Sequence, residues 1–237
     1  MAETIIVDSA GSDMPISTSK PDGEARGAVI VIQEAFGITE HIEDICRRLS
    51  DVGFYAAAPH IFHRSGDPVI PYGDMQDVMP HLGALSVEGL EADISATIDH
   101  LASAGFSTPQ VGIVGFCMGG SVVVLAAANH DLGAAVSFYG GGIAAGRFGI
   151  PPLVELAPSL QTPWLGFFGD ADASIPTDQV ESMREAAKHA SVPTEVVRYP
   201  EAEHGFNCDV RPSYHEASAK DAWGRTLDWF EANLAKD

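Results

Sequence analysis

Short apolar runs recur along the chain, several of them ending at glycine or proline. Residues 27–32, Gly-Ala-Val-Ile-Val-Ile, carry no polar alternation. That pattern fits a strand buried on both faces. Runs at 54–58, 111–116, 134–139 and 163–168 also read as strands, as does the more polar stretch 194–199. Between them apolar residues return at helical spacing: Ile42, Ile45, Cys46 and Leu49 in a helix opened by Thr39 or Glu40, then Leu90, Ile94, Ile98 and Leu101 across 87–103. Cys46 therefore belongs to the core. Further helices are expected after Gly119, over 177–189 and over 213–235. Residues 4–7 and 14–18 predict a short antiparallel start, joined through the turn-rich stretch 8–13. Residues 60–86, punctuated by Pro68, Pro71, Gly73, Pro80 and Gly83, read as one long irregular loop. Strands alternating with helices, with no break in composition, predict one α/β domain over 1–237. Its sheet is doubly wound and mostly parallel, with helices on both faces.

One boundary carries chemistry. The run 111–116 leads into Gly115-Phe116-Cys117-Met118-Gly119-Gly120, a strand, a tight turn and a helix start. Gly-x-Cys-x-Gly is the spacing of the nucleophile elbow of α/β-hydrolases, with cysteine in place of serine. Such a turn strains its central residue, and neighbours without a Cβ let strand and helix pass closely. The helix start adds free N–H groups and partial positive charge, which favour a thiolate and an oxyanion. A buried structural cysteine satisfies the same short motif, so other positions must decide.

In a doubly wound sheet, sites form beyond the carboxyl ends of the strands. Glu34, Cys117, Asp172 and His204 each follow a different predicted strand. Cysteine, aspartate, histidine is the triad order of α/β-hydrolases. A free thiol titrates near ~8.5, so it needs a base. His204 takes the proton and returns it to a leaving group. The acid orients the histidine; Asp172 and Asp170 both fit, and one of them is free to cap the next helix. Cys117 then forms a thioester that water cleaves. The oxyanion donors are the backbone N–H of Met118 and, from the loop after 27–32, that of Ala35. A carboxylate at Glu34 opposes an oxyanion. In contact with Cys117 it would accept the thiol's hydrogen bond or compete for its proton.

Composition narrows the partners. The formal charge of −20 argues against nucleic acid and anionic membranes, and an anionic substrate needs a locally basic pocket. No apolar run approaches the ~20 residues of a membrane span. The start Met1-Ala2-Glu3-Thr4 lacks a signal-peptide profile, so a cytoplasmic protein is expected. Three cysteines without a CxxC pair suggest neither a disulfide framework nor a zinc knuckle. No HExxH or clustered ligand set occurs, so no metal or cofactor is expected. The expected partner is a small-molecule ester or lactone.

Five segments together resemble the dienelactone hydrolase (carboxymethylenebutenolidase) family over almost the full length. They are Gln33-Glu34-Ala35-Phe36-Gly37, Gly115-Phe116-Cys117-Met118-Gly119-Gly120, Phe138-Tyr139-Gly140, Gly169-x-x-Asp172-x-x-Ile175-Pro176 and Tyr199-x-x-Ala202-x-His204-Gly205-Phe206. The resemblance implies a dienelactone-like ester hydrolase and selects Asp172 over Asp170. It implies that Glu34 holds the resting thiol until substrate releases it. It also implies arginines around a substrate carboxylate, one of them shortly after the histidine. Here Cys208 stands in that place, with Arg211 further on and Arg64 in the long loop as candidate cations. Tyr139, Phe206 and Cys208 complete the expected substrate pocket. The same triad serves carboxylesterases and thioesterases of other substrate range. A non-catalytic ligand-binding protein on this fold would have no need of all three residues.

Overall fold

The computed structural model describes residues 2–235. β1 (Ala2–Ser9) and β2 (Ser12–Ser19) form an antiparallel hairpin. Its turn is Ala10-Gly11, both at left-handed φ, a two-residue connection tighter than the expected 8–13. β2 pairs antiparallel with β4 (Tyr55–Pro59). From there the sheet is parallel through β3 (Ala28–Ile32), β5 (Val111–Phe116), β6 (Ala134–Phe138), β7 (Trp164–Gly169) and β8 (Thr194–Tyr199). The order is β1-β2-β4-β3-β5-β6-β7-β8. Every residue of β3 to β7 is buried, which explains runs without polar alternation.

The strand order reverses at β3, whose neighbours are β4 and β5. Such a switch point opens a crevice at the carboxyl ends of the two central strands. Glu34 and Ala35 follow β3 there, and Cys117 follows β5.

α1 (Glu40–Asp51) buries Ile42, Ile45, Cys46 and Leu49, and burial pushes the Cys46 thiol up to about 12. α2 (Met75–Gly83) precedes α3 (Val87–Ser103), which buries Leu90, Ile94 and Leu101. α4 (Met118–Asn129) is buried from Met118 through Ala128, so its apolar, alanine-rich sequence needs no polar face. After β6 comes the short α5 (Leu153–Leu156), then α6 (Thr177–Ala187) and α7 (Glu216–Asn233). No helix among the described residues is long and apolar enough to cross a membrane.

The expectation of an irregular 60–86 is corrected in part. α2 (Met75–Gly83) forms inside it, with Pro80 in its interior. Val78 and Leu82, one turn apart, are buried beneath it. Their burial outweighs the helix-breaking tendency of proline.

Candidate active site

Cys117 has φ +55 and ψ −115, a conformation that costs on the order of 1–3 kcal/mol. Its N–H donates to Phe138 O at 3.0 Å, tying the turn to β6. A Cβ on Gly115 would strike the Gly119 carbonyl, and one on Gly119 would strike the carbonyls of Ile32 and Gln33. The two glycines therefore let α4 start close above β5 and against the loop that carries Ala35. Neither the Ala35 nor the Met118 backbone N–H donates to protein among the described residues. Both residues line the same cavity as Cys117.

His204, after β8, is held by the acid and lies beside the thiol. Its Nδ1 lies 2.6 Å from Asp172 Oδ2, and Cys117 on its other side favours the charged ring. Asp172, after β7, is buried, and its Oδ1 accepts from the Ser174 N–H at 2.8 Å and the Ser174 hydroxyl at 2.6 Å. Burial alone would raise the Asp172 carboxyl. The hydrogen bonds from His204 and Ser174 outweigh it and hold the group below its usual range. For His204 burial works toward the neutral ring, but Asp172 and Cys117 outweigh it and push the imidazolium up to about 10. Asp170 instead accepts from Arg198 Nε at 2.7 Å and takes no part in this set.

Glu34 is fully buried, and its carboxylate is engaged elsewhere. Oε2 accepts from the Tyr72 hydroxyl at 2.9 Å, and Oε1 from Arg211 Nη1 at 3.2 Å. The resemblance implies that Glu34 holds the resting thiol; among the described residues no hydrogen bond joins Glu34 to Cys117. Arg211 supplies that carboxylate with a full counter-charge. Arg211 reaches Glu34 by crossing Gly205, where φ is +80 and a Cβ would strike the guanidinium. The Tyr72 oxygen in turn lies 3.1 Å from Thr39 Oγ1 and 3.5 Å from Cys208 Sγ. Burial, then the nearby Glu34 charge, keeps that phenol protonated.

A model of the dienelactone hydrolase family matches residues 15–234. A protein of Salmonella typhimurium named "Putative carboxymethylenebutenolidase" is 43% identical over 233 residues, covering 94% of this chain and 84% of the relative. A "Carboxymethylenebutenolidase" of Rhodococcus opacus is 26% identical over 231 residues, covering 94% of this chain and 88% of its own. The crystal structure of a "Putative Dienelactone Hydrolase" from Klebsiella pneumoniae superimposes with a TM-score of 0.90 at 40% identity, covering 98% of each chain. The chain belongs to the dienelactone hydrolase family. The α/β-hydrolase fold follows with it.

In this dienelactone hydrolase family member the expected pocket residues separate. Arg64 lies outside the cavity: Nη1 donates to both Asp93 oxygens at 2.8 and 2.9 Å, and Nη2 to Ser9 Oγ at 2.9 Å. Asp93, on α3, is buried and also lies 3.0 Å from His63 Nε2, so its charge holds Arg64 there. Tyr139, Phe206 and Cys208 are fully buried and do not line the cavity. The Tyr139 ring sits 5.0 Å from that of His204 and 5.3 Å from that of Phe206. The two aromatics thus back the histidine rather than face a ligand. Arg211 does border the cavity.

The sequence reading missed Tyr72, Ser174 and Arg147. Ser174 had a signal: a hydroxyl two residues after an aspartate commonly closes an Asx-type turn. Tyr72 and Arg147 lie in loops whose direction only the packed structure defines.

Proposed function

We propose that this protein, an ester hydrolase, cleaves a small ester or lactone through a thioester on Cys117. The single observation that carries this reading is His204, bonded to Asp172 and beside Cys117, before two unpaired backbone N–H groups. His204 takes the Cys117 proton, and the sulfur attacks the acyl carbon. Charge then develops on the carbonyl oxygen, within reach of the Met118 and Ala35 donors. As the tetrahedral species collapses, His204 gives its proton to the leaving oxygen. The thiolate is now consumed as thioester, so the neutral ring serves as base for water. Asp172 keeps the ring in one tautomer throughout.

The raised His204 sets the pH dependence. The kcat/KM should hold through neutral pH and fall as pH climbs through about 10, where the leaving-group proton is lost. The same shift stabilises the fold fully below about 6.5, and that contribution disappears as pH rises past the folded value. In Asp172→Asn the alkaline limb should move to lower pH, because the hydrogen bond and charge that raise it are gone. A limb at the same pH in both proteins refutes the assignment of Asp172.

Acid quenching during turnover of an ester panel, followed by peptide mass mapping, tests the intermediate. The expected result is an acyl mass on Cys117. Turnover without that adduct, together with persistent activity in Cys117→Ala, overturns the reading.

A further inference from the structure

His204 stands between two lobes of the site. An enclosed lobe of about 210 Å³ holds Cys117, Ala35 and Met118. An open lobe of about 770 Å³ runs past Tyr72, Glu203 and Ser213. Ser174, His204 and Arg211 border both. A leaving group protonated by His204 must lie on the histidine's side. The acyl substituent then points away from it, into the enclosed lobe. The walls found only in that lobe are mostly apolar, including Phe36, Met75 and Phe148, with a single cation, Arg147.

That cation differs from the rest of the chain. Asp and Glu total 33 against 13 Lys and Arg, so almost every base finds a carboxylate. Among the described residues, Arg147 alone of the lysines and arginines has no acidic partner, and its guanidinium makes no hydrogen bond to protein.

The segment carrying it is built with strain. The Arg147 N–H donates to Ile150 O at 3.1 Å, and the Ile150 N–H to Arg147 O at 2.8 Å. Between them Phe148 and Gly149 have φ +57 and +78. A phenylalanine in the left-handed region is unfavourable, and such outliers mark sites where a side chain is aimed. Here the tight turn brings both Arg147 and Phe148 to the enclosed lobe. The guanidinium lies beside Gly141, where a Cβ would stand 3.2 Å from its Nη1.

We propose that Arg147 binds an anionic group at the far end of the acyl chain. The substrate class is then a half-ester of a short dicarboxylic acid, with an apolar middle between the reacting ester and a terminal carboxylate. The inference rests on acylation of Cys117 as described above and adds which part of the substrate is charged. In the reaction the ester C–O bond breaks, the alcohol leaves with a proton, and water's oxygen ends on the acyl carbon as the second carboxylate. On a chain of net charge −20, an unpaired guanidinium supplies the local attraction that an anionic acyl group needs.

The test compares monomethyl glutarate with methyl isoheptanoate, its neutral shape mimic, in which an isopropyl end replaces the carboxylate. The readout is the ratio of kcat/KM for the two esters. Arg147→Gln should lower that ratio roughly tenfold or more, with the loss for the half-ester mainly in KM, as expected for one charge-assisted contact. Arg147→Lys should retain part of it. An unchanged ratio, or equal losses on both esters, overturns the inference. So does a wild-type enzyme that turns over the neutral ester but not the half-ester. Failure on both, with no acyl adduct on Cys117 from either, overturns the underlying reaction and this inference with it.

Discussion

Replacing Cys117 with alanine should lower ester turnover by roughly 10⁴- to 10⁶-fold, the scale on which loss of a nucleophile acts in a cooperating triad. The fold should survive, because His204 beside the thiol is held by Asp172 and backed by Tyr139 and Phe206. Alanine inherits the strained φ of +55, whereas glycine does not. Cys117→Gly should therefore be as inactive as the alanine variant, yet about 1 kcal/mol more stable than it in denaturant unfolding. Equal stability of the two variants means that the elbow stores no strain. Activity within tenfold of wild type in either removes Cys117 from the chemistry.

Arg211→Met should be among the most destabilising single changes outside the apolar core. Glu34 is completely buried, and Arg211 is its counter-charge. Losing one partner of a buried pair costs about 3–5 kcal/mol, because the other charge is left uncompensated. For a chain of this size that corresponds to roughly 6–20 °C in Tm. Removing both charges, in Glu34→Gln with Arg211→Met, should recover a large part of the loss. Thermal unfolding of the two singles and the double gives the coupling directly. Additive losses would mean that Glu34 and Arg211 do not act as a pair.

Legibility from sequence followed the physics of each feature. Strands buried on both faces announce themselves as apolar runs, so β3 to β7 were readable within a residue or two. β8, mixed in sequence and mostly half-buried, was readable from its Val-Val centre and the proline that ends it. The positions of Cys117, Asp172 and His204 could be proposed because each is tied to a strand end, and the sheet brings those ends together. Arg211 was readable as a candidate cation, but its pairing with Glu34 was not, because its distance from His204 along the chain misleads. The Cys208 N–H donates to Gly205 O at 3.0 Å, and the Arg211 N–H to Cys208 O at 3.1 Å, so successive turns return it to Gly205. Arg64 has the opposite history: it lies in the expected loop, but Asp93, a buried carboxylate on a distant helix, claims it. Glu34 raises the same question. Which partner a buried carboxylate takes depends on which cation reaches it, and neither candidate's reach is written locally. α2 was hidden by proline and glycine, whose local preferences yield to the burial of Val78 and Leu82.

The contact from Asp93 to Ser9 spans 84 residues, at 2.6 Å. That separation bears on how the chain is made. The β1–β2 hairpin is complete in the first nineteen residues, but its sheet partner β4 and its anchor Asp93 come later. At ribosomal rates of ~5–20 residues per second, roughly 4–17 s of synthesis separate Ser9 from Asp93. The β2 edge of the nascent hairpin is unpaired until β4 is made, and the β1 edge stays the outer edge of the finished sheet; such edges are the usual template for pairing between chains. Glu3, Asp8 and Asp13 lie along it, exposed and acidic. Acidic side chains along an edge oppose its pairing with a second copy through like-charge repulsion.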